Sequence, residues 1–421
     1  MRRRLLPAAA ATVLVAWIGP SAGAAVRPPK LQYDLFTLSN GLTVVLSEDH
    51  STPIVHLQIT YHVGSKNEKA GRTGFAHLFE HMMFKGSKNV ATEEHTSIIA
   101  SVGGQSNAYT TDDETVFWET VPAHHLPLVL WLEADRMATL KIEKNTFVNE
   151  REVVKEERRM RVDNQPYGRL NEIIYDQAFT IHPYKHPTIG SLQDLEAASV
   201  DDVLDFYQTF YVPENATAVL VGDFDPAQVK QLVNQYLGRV PKAAKPVPRD
   251  IPKEPAQTKE RRVTLSAAWP LPAVVVAHHI TYDGNADSYP LHIASKVLYL
   301  FYAVAIVQPG HTPEDAVNAL IAELDRLKAE PITEHELQRT KNQFARDYIL
   351  GRETNQQKAQ QLAHAVVIHH DITTADGEFD IFQNIVAADV QRVARTYFTP
   401  ENRLVLTILP SDRAAAGGGR R

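Results

Sequence analysis

The sequence predicts an α+β protein of two homologous α/β halves, each a mostly antiparallel sheet backed by helices, with the second half shortened. Three observations carry this. Residues 202–215 (DVLDFYQTFYVPEN) recur as residues 389–402 (DVQRVARTYFTPEN) at a constant offset of 187, and a strand-like run follows each copy, ATAVLVG and RLVLTIL. Between the copies, Pro241, Pro246, Pro248, Pro252 and Pro255 mark a linker. Ahead of the first copy, short β-prone runs precede stretches of helical period. The expected division is a signal over 1–24, a first half over 33–240, a linker over 241–260, a second half over 261–412 and a disordered tail over 413–421.

Residues 1–24 combine Arg2, Arg3 and Arg4 with an apolar run over 5–18 and the small residues Ala22, Gly23 and Ala24, the pattern of a secretory signal cleaved after Ala24. The run is short for a stable membrane span, and no cysteine follows it to carry a lipid. The expected location is therefore outside the cytoplasm, in a bacterial periplasm. Removing the signal takes away three positive charges, so the formal charge moves from −7 to −10, which argues against nucleic acid as a partner. The absence of cysteine excludes disulfides and a thiol nucleophile, and no GxSxG elbow points to a serine hydrolase. With 44% hydrophobic and 22% charged residues, the composition is that of a globular protein with ordinary cores.

Residues 34–48 alternate around Leu42, Val44 and Leu46 with an Asn40-Gly41 turn, which reads as a hairpin, and 54–61 reads as a further strand. A loop over 64–73 leads into a helix. Residues 100–121 contain Gly103-Gly104, β-prone residues and a turn at Asp112-Asp113, so two strands with an exposed polar edge are expected there. Such an edge can pair with an extended peptide through main-chain hydrogen bonds.

The helix after the loop, GFAHLFEHMMFKG over 74–86, carries Phe75, Leu78, Phe79 and Met82 on one face and His77, Glu80, His81 and Phe84 on the other. Two imidazoles at i and i+4 are stacked about 6 Å apart along the axis, which lets both reach one zinc ion at about 2.0–2.1 Å. The HxxEH spacing is the inverzincin pattern, and about 0.09 chance matches are expected at this composition. A second helix is predicted over 143–163, with Phe147, Val153, Val154 and Met160 as its apolar stripe and Glu150 and Glu157 within that stripe. Arg151, Glu152, Lys155, Glu156, Arg158 and Arg159 fall off it. A carboxylate on a buried face costs several kcal/mol unless a cation compensates it, and zinc would do so.

HxxEH followed by a glutamate 76 positions after its second histidine, with another glutamate seven before that one, resembles the pitrilysin (insulinase) family of zinc peptidases. GGQSNAYT over 103–110 and NEREVVKEE over 149–157 also resemble the mitochondrial processing peptidase branch and its bacterial relatives. The resemblance implies that His77, His81 and Glu157 bind Zn²⁺, that Glu80 is the general base and Glu150 a supporting acid, and that Asn107 and Ala108 lie on the strand holding the substrate backbone. It also implies clam-like halves closing on a peptide.

The halves are unequal. From Tyr61 to Pro213 is 152 residues, but from Tyr282 to Pro400, taking Ile59-Thr60-Tyr61 and Ile280-Thr281-Tyr282 as matching strand ends, is 118, a shortfall of 34. The loss falls near Leu300, where the family places a turn and helix bearing an Arg and a Tyr that grip substrate. The second half has no HxxEH. The remaining histidines carry less: His124-His125, His278-His279 and His369-His370 are adjacent and point apart, and His182 and His186 lie among prolines. The expected function is a zinc metalloendopeptidase acting on peptides or unfolded segments. The alternative is a zinc-bearing but inactive subunit that partners an active homologue. The partners considered are a peptide or unfolded-protein substrate and a homologous subunit in a hetero- or homodimer, with the oligomeric state left open.

Overall fold

A computed structural model describes residues 27–294 and 300–411. The signal expected over 1–24 and the tail over 413–421 lie outside the described residues. The first sheet contains β1 (Asp34–Thr37), β2 (Thr43–Glu48), β3 (Ile54–Tyr61), β4 (Gln105–Thr110), β5 (Thr115–Pro122) and β6 (Ala216–Gly222), in the order β1-β2-β6-β3-β5-β4. Its pairings are antiparallel except β2 with β6. Interleaved with it are α1 (Phe75–Met82), α2 (Glu94–Ser101), α3 (Leu126–Thr139), α4 (Lys144–Arg158), α5 (Leu170–Ala178), α6 (Leu192–Ala197), α7 (Val200–Phe210) and α8 (Pro226–Tyr236). The second sheet contains β7 (Arg261–Ala267), β8 (Ala273–His279), β9 (Leu300–Ile306) and β10 (Arg403–Pro410), in the order β7-β10-β8-β9, with only β7 and β10 parallel. Its helices are α9 (Ser288–Ala294), α10 (Pro313–Ala329), α11 (Glu334–Leu350), α12 (Asn355–Val367), α13 (Thr374–Asn384) and α14 (Ala387–Tyr397).

The repeat is visible in three dimensions. Residues of α7 and β6 recur as α14 and β10, and the central pairing of the first sheet, β6 with β3, recurs as β10 with β8. Register corrects one sequence expectation. Ala216 pairs with Tyr61, and its repeat counterpart Arg403 pairs with His278, so His278 and not Tyr282 stands where Tyr61 stands. Tyr282 is exposed, past the end of β8. The separation to Pro400 is then 122 residues against 152. The shortening itself has a structural identity. β9 pairs with β8 as β5 pairs with β3, and five residues join α9 to β9, so among the described residues the second half has no counterpart of α2 or of the edge strand β4.

Both faces of each sheet are covered, which is why β6 and β8 are continuous apolar runs. One face of the first sheet packs with its own helices through Val44, Leu46, Ala218 and Leu220, while Val45, Val219 and Val221 meet Ala359, Leu362 and Ala363 of α12. In return, Ile174 and Ala178 of α5 pack on Val275, Ala277, Leu404 and Leu406 of the second sheet. Each half thus lends a helix to the other. Residues 241–260 carry no helix or strand, yet they are pinned: the Glu254 carboxylate accepts N–H bonds from Thr180, Ile181 and His182 at 2.8–3.0 Å.

Candidate metal centre

The motif helix α1 is held at its start by residues the sequence did not single out. Gly74 enters it with φ +91, in the left-handed region, and a Cβ there would meet the backbone of Ile189 and Gly190. The buried Glu68 carboxylate accepts from the N–H of Gly74 and of Ala76, both at 2.8 Å, and so caps the helix from outside its own chain turn. Burial pushes the Glu68 pKa up, and these helix N–H groups oppose that rise. We expect Glu68→Gln, which sets an NH₂ group against a helix N–H, to lower stability by about 1–3 kcal/mol in a denaturant titration; an unchanged midpoint would show that the cap is idle. The opposite face of α1 anchors in the core, with Leu78, Phe79 and Met82 fully buried and the Phe79 ring 4.0 Å from that of Tyr211.

The polar face of α1 meets α4. Glu157 Oε2 lies 3.4 Å from His81 Nε2 and 3.8 Å from His77 Nε2, and the two imidazole rings are edge-on with centroids 4.9 Å apart. These separations are long for hydrogen bonds. They fit instead the spacing of donors on one ion, since tetrahedral ligands at about 2.0–2.1 Å stand about 3.3–3.4 Å apart. Burial, with His81 and Arg161 nearby, lowers the His77 pKa to about 4, so its imidazole is neutral and able to donate a lone pair. The donor set of two imidazoles and one carboxylate therefore fits zinc.

Glu80 stands beside this trio and is not one of its convergent atoms. Its Oε2 accepts from Thr110 Oγ1 at 2.6 Å, and burial raises its pKa against that hydrogen bond. Glu150 Oε2 lies 3.5 Å from His81 Nδ1, and its Oε1 lies 3.1 Å from Lys85 Nζ. Burial acts to raise the Glu150 pKa, but His81 and Lys85 outweigh it and hold the carboxyl below its usual range. Glu150 thus touches the far side of a histidine, where a carboxylate orients the ring.

The α4 stripe needs correction. Phe147, Val154 and Arg158 are buried with Glu150, whereas Val153 and Met160 are 49% and 60% exposed. Glu150 and Glu157 lie only about 20° apart on the wheel, but at the edge of the buried face. Val153 falls on their solvent flank. Met160 lies beyond the α-helix, in a π-helical turn over Arg159–Asp163 where the 100° projection no longer applies. Arg158, expected off the stripe, is a structural post. It forks onto Glu172, Nη2 at 3.0 Å from Oε2, and donates to the Gly190 carbonyl at 2.6 Å, which ties the residue next to Glu157 to the loop packed on Gly74.

β4 is the edge strand beside this centre. Its hairpin closes through Thr111 N–H to the Glu114 carbonyl, so in antiparallel alternation Ser106, Ala108 and Thr110 turn their main-chain groups to the free edge. Asn107 faces β5 with its backbone and offers only its side chain, whose Oδ1 accepts from the Ala108 N–H at 2.9 Å. Of the sequence-derived pair, Ala108 is the one that presents edge backbone. His182 and His186 are loop residues: His182 Nδ1 accepts from the Tyr184 N–H, and His186 Nδ1 lies 3.6 Å from Glu68.

Residues 43–192 match the family described as Insulinase (Peptidase family M16), and residues 197–299 match the one described as Peptidase M16 inactive domain. The chain is 28% identical over 436 residues to the zinc protease PqqE of Helicobacter pylori, covering 95% of this chain and 97% of that protein. Since 95% of 421 residues is about 400, about 36 aligned positions have no residue in this chain, close to the shortfall of the second half. The crystal structure of a protease from Helicobacter pylori superposes with a TM-score of 0.85 at 27% identity, over 90% of this chain and all of that one. The first half of the periplasmic protease PqqL from Escherichia coli shares the fold, with a TM-score of 0.74 at 19% identity over 93% and 95% of the two chains.

Proposed function

The chain belongs to the insulinase (M16) family of zinc peptidases, and on that premise we propose that it is a zinc-dependent endopeptidase for peptides or unfolded segments. The observation that carries the reading is the convergence of His77, His81 and Glu157 within 4.8 Å, with Glu80 beside them under the edge of β4. His77, His81 and Glu157 would hold the ion, which when bound supplies a Lewis acid and makes water acidic enough to ionise near neutral pH. Thr110 holds one oxygen of Glu80, leaving Oε1 to accept the proton of the attacking water and return it to the leaving amine. The free edge of β4, with the main-chain groups of Ala108, would align an extended substrate whatever its side chains, and Asn107 would contribute its amide. Glu150 would keep His81 oriented.

A second reading has its own support. Among the described residues the distal half lacks counterparts of α2 and β4, so it would offer less surface to hold an extended substrate over the metal. On this reading the chain is a zinc-bearing subunit that needs a homologous partner. The test is cleavage of an unstructured peptide by the chain lacking residues 1–24, alone and with a homologous subunit whose second half is complete. We expect weak, chelator-sensitive cleavage alone and a clear gain with the partner. Full activity alone would show that the shortened half is no handicap, and no cleavage in either case would leave the inactive-subunit reading. Export to the periplasm is part of the proposal, resting on residues 1–24; among the described residues no helix is long and apolar enough to cross a membrane.

A further inference from the structure

Asp283, His364 and His369 bring one carboxylate and two imidazoles within 4.8 Å in the second half, and we propose that they form a second site for zinc, distinct from His77, His81 and Glu157. Asp283 follows β8, His364 is on the last turn of α12, and His369 lies just past its end. Five residues apart on a continuing α-helix, the two histidines would face different sides. Here the chain curls: the N–H groups of Ile368 and His369 both reach the His364 carbonyl, at 2.9 and 3.4 Å, and the rings come to 4.9 Å centroid to centroid. Gly284 lets the loop after β8 lie over them, since a Cβ there would be 3.0 Å from the His369 ring.

Asp283 Oδ2 is hydrogen-bonded to His364 Nε2 at 2.8 Å, a contact that a bound ion would replace, and lies 3.4 Å from His369 Nε2. The His369 side chain is 3% exposed, its Nδ1 is fixed by Thr374 Oγ1 at 2.9 Å, and its Nε2 is buried without a hydrogen-bond partner, aimed at Asp283. That is how a ligating histidine is set, one nitrogen held by an outer partner and the other left for the ion. Glu114 and Glu378 line, with His364 and His369, a cavity of about 340 Å³, and among the described residues no Lys or Arg forms an ion pair with either carboxyl or with Asp283. The contrast is His95, Glu119 and Glu133, equally close together, where the Arg136 guanidinium already pairs with Glu119 at 3.0 Å and with Glu133. Imidazole and carboxylate donors suit zinc over magnesium or calcium. Because α12 packs on the first sheet while Asp283 leaves the second, the ion would fasten the halves together.

The test is equilibrium dialysis of chelator-stripped protein against Zn²⁺ alone near neutral pH, counting zinc per folded chain, with circular dichroism to confirm folding. Two equivalents are expected for the parent, one for His77→Ala/His81→Ala, one for His364→Ala/His369→Ala and none for all four changes together. Asp283→Asn, which keeps the side chain's size, should weaken the second equivalent at least about tenfold and reduce the zinc-dependent rise in Tm, leaving the first equivalent intact. One equivalent in the parent, abolished by His77→Ala/His81→Ala, would overturn the proposal. One equivalent that survives that change and is lost with His364→Ala/His369→Ala would support it while removing the first site.

Discussion

Glu80→Gln is expected to keep the zinc content of the parent and to lose about 10³–10⁴-fold of peptide cleavage, measured with the homologous partner present so that the parental rate is high. Glu80 does not share the convergent atoms of His77, His81 and Glu157, so its replacement leaves the donor set whole. The amide carbonyl of glutamine can still accept from Thr110, which preserves position, but it cannot take up a proton. A variant with unaltered cleavage would remove Glu80 from the reaction, and one that lost zinc as well would make it part of the binding set.

Glu157→Gln should reduce zinc affinity by more than about 100-fold, since loss of even an outer partner of a ligand costs 10- to 100-fold. Glu156→Gln should leave affinity unchanged. The two differ by one position and by their surroundings: Glu157 is 16% exposed and faces both histidines, whereas Glu156 is 58% exposed and pairs with Arg159 at 2.9 Å. Titration of zinc into each variant with a competing chelator distinguishes them, and equal losses would sink the assignment of Glu157.

Legibility followed the range of the interactions. His77, Glu80 and His81 could be found because their meeting depends only on the helical period, and Glu157 because the same period puts it about 20° from Glu150. The wheel located the face of α4 but not its buried flank. Phe147, Val154 and Arg158 occupy that flank because α1 and Glu172 lie there, and Val153 was left to solvent. The matching of Tyr282 to Tyr61 failed for a similar reason, since an Ile-Thr-Tyr triplet is common in strands while equivalence is settled by which residues pair across the sheet. Glu68 and Arg158 gave no periodic signal, because one caps a helix six residues on and the other reaches across to α5.

By itself the sequence determined what period and repetition encode: two related α/β halves, His77, Glu80 and His81 on one face of α1, Glu150 and Glu157 on one face of α4, and a shortened second half. These are properties of residues near one another in the chain, or of one segment resembling another, and they need no knowledge of packing. Only the tertiary structure decided that the missing piece is the counterpart of α2 and β4, that each half covers the other's sheet, and that His369 turns back on His364 to meet Asp283. Those outcomes depend on strand register, on which face a helix buries and on how a helix ends, and each is set by contacts between residues far apart in the chain.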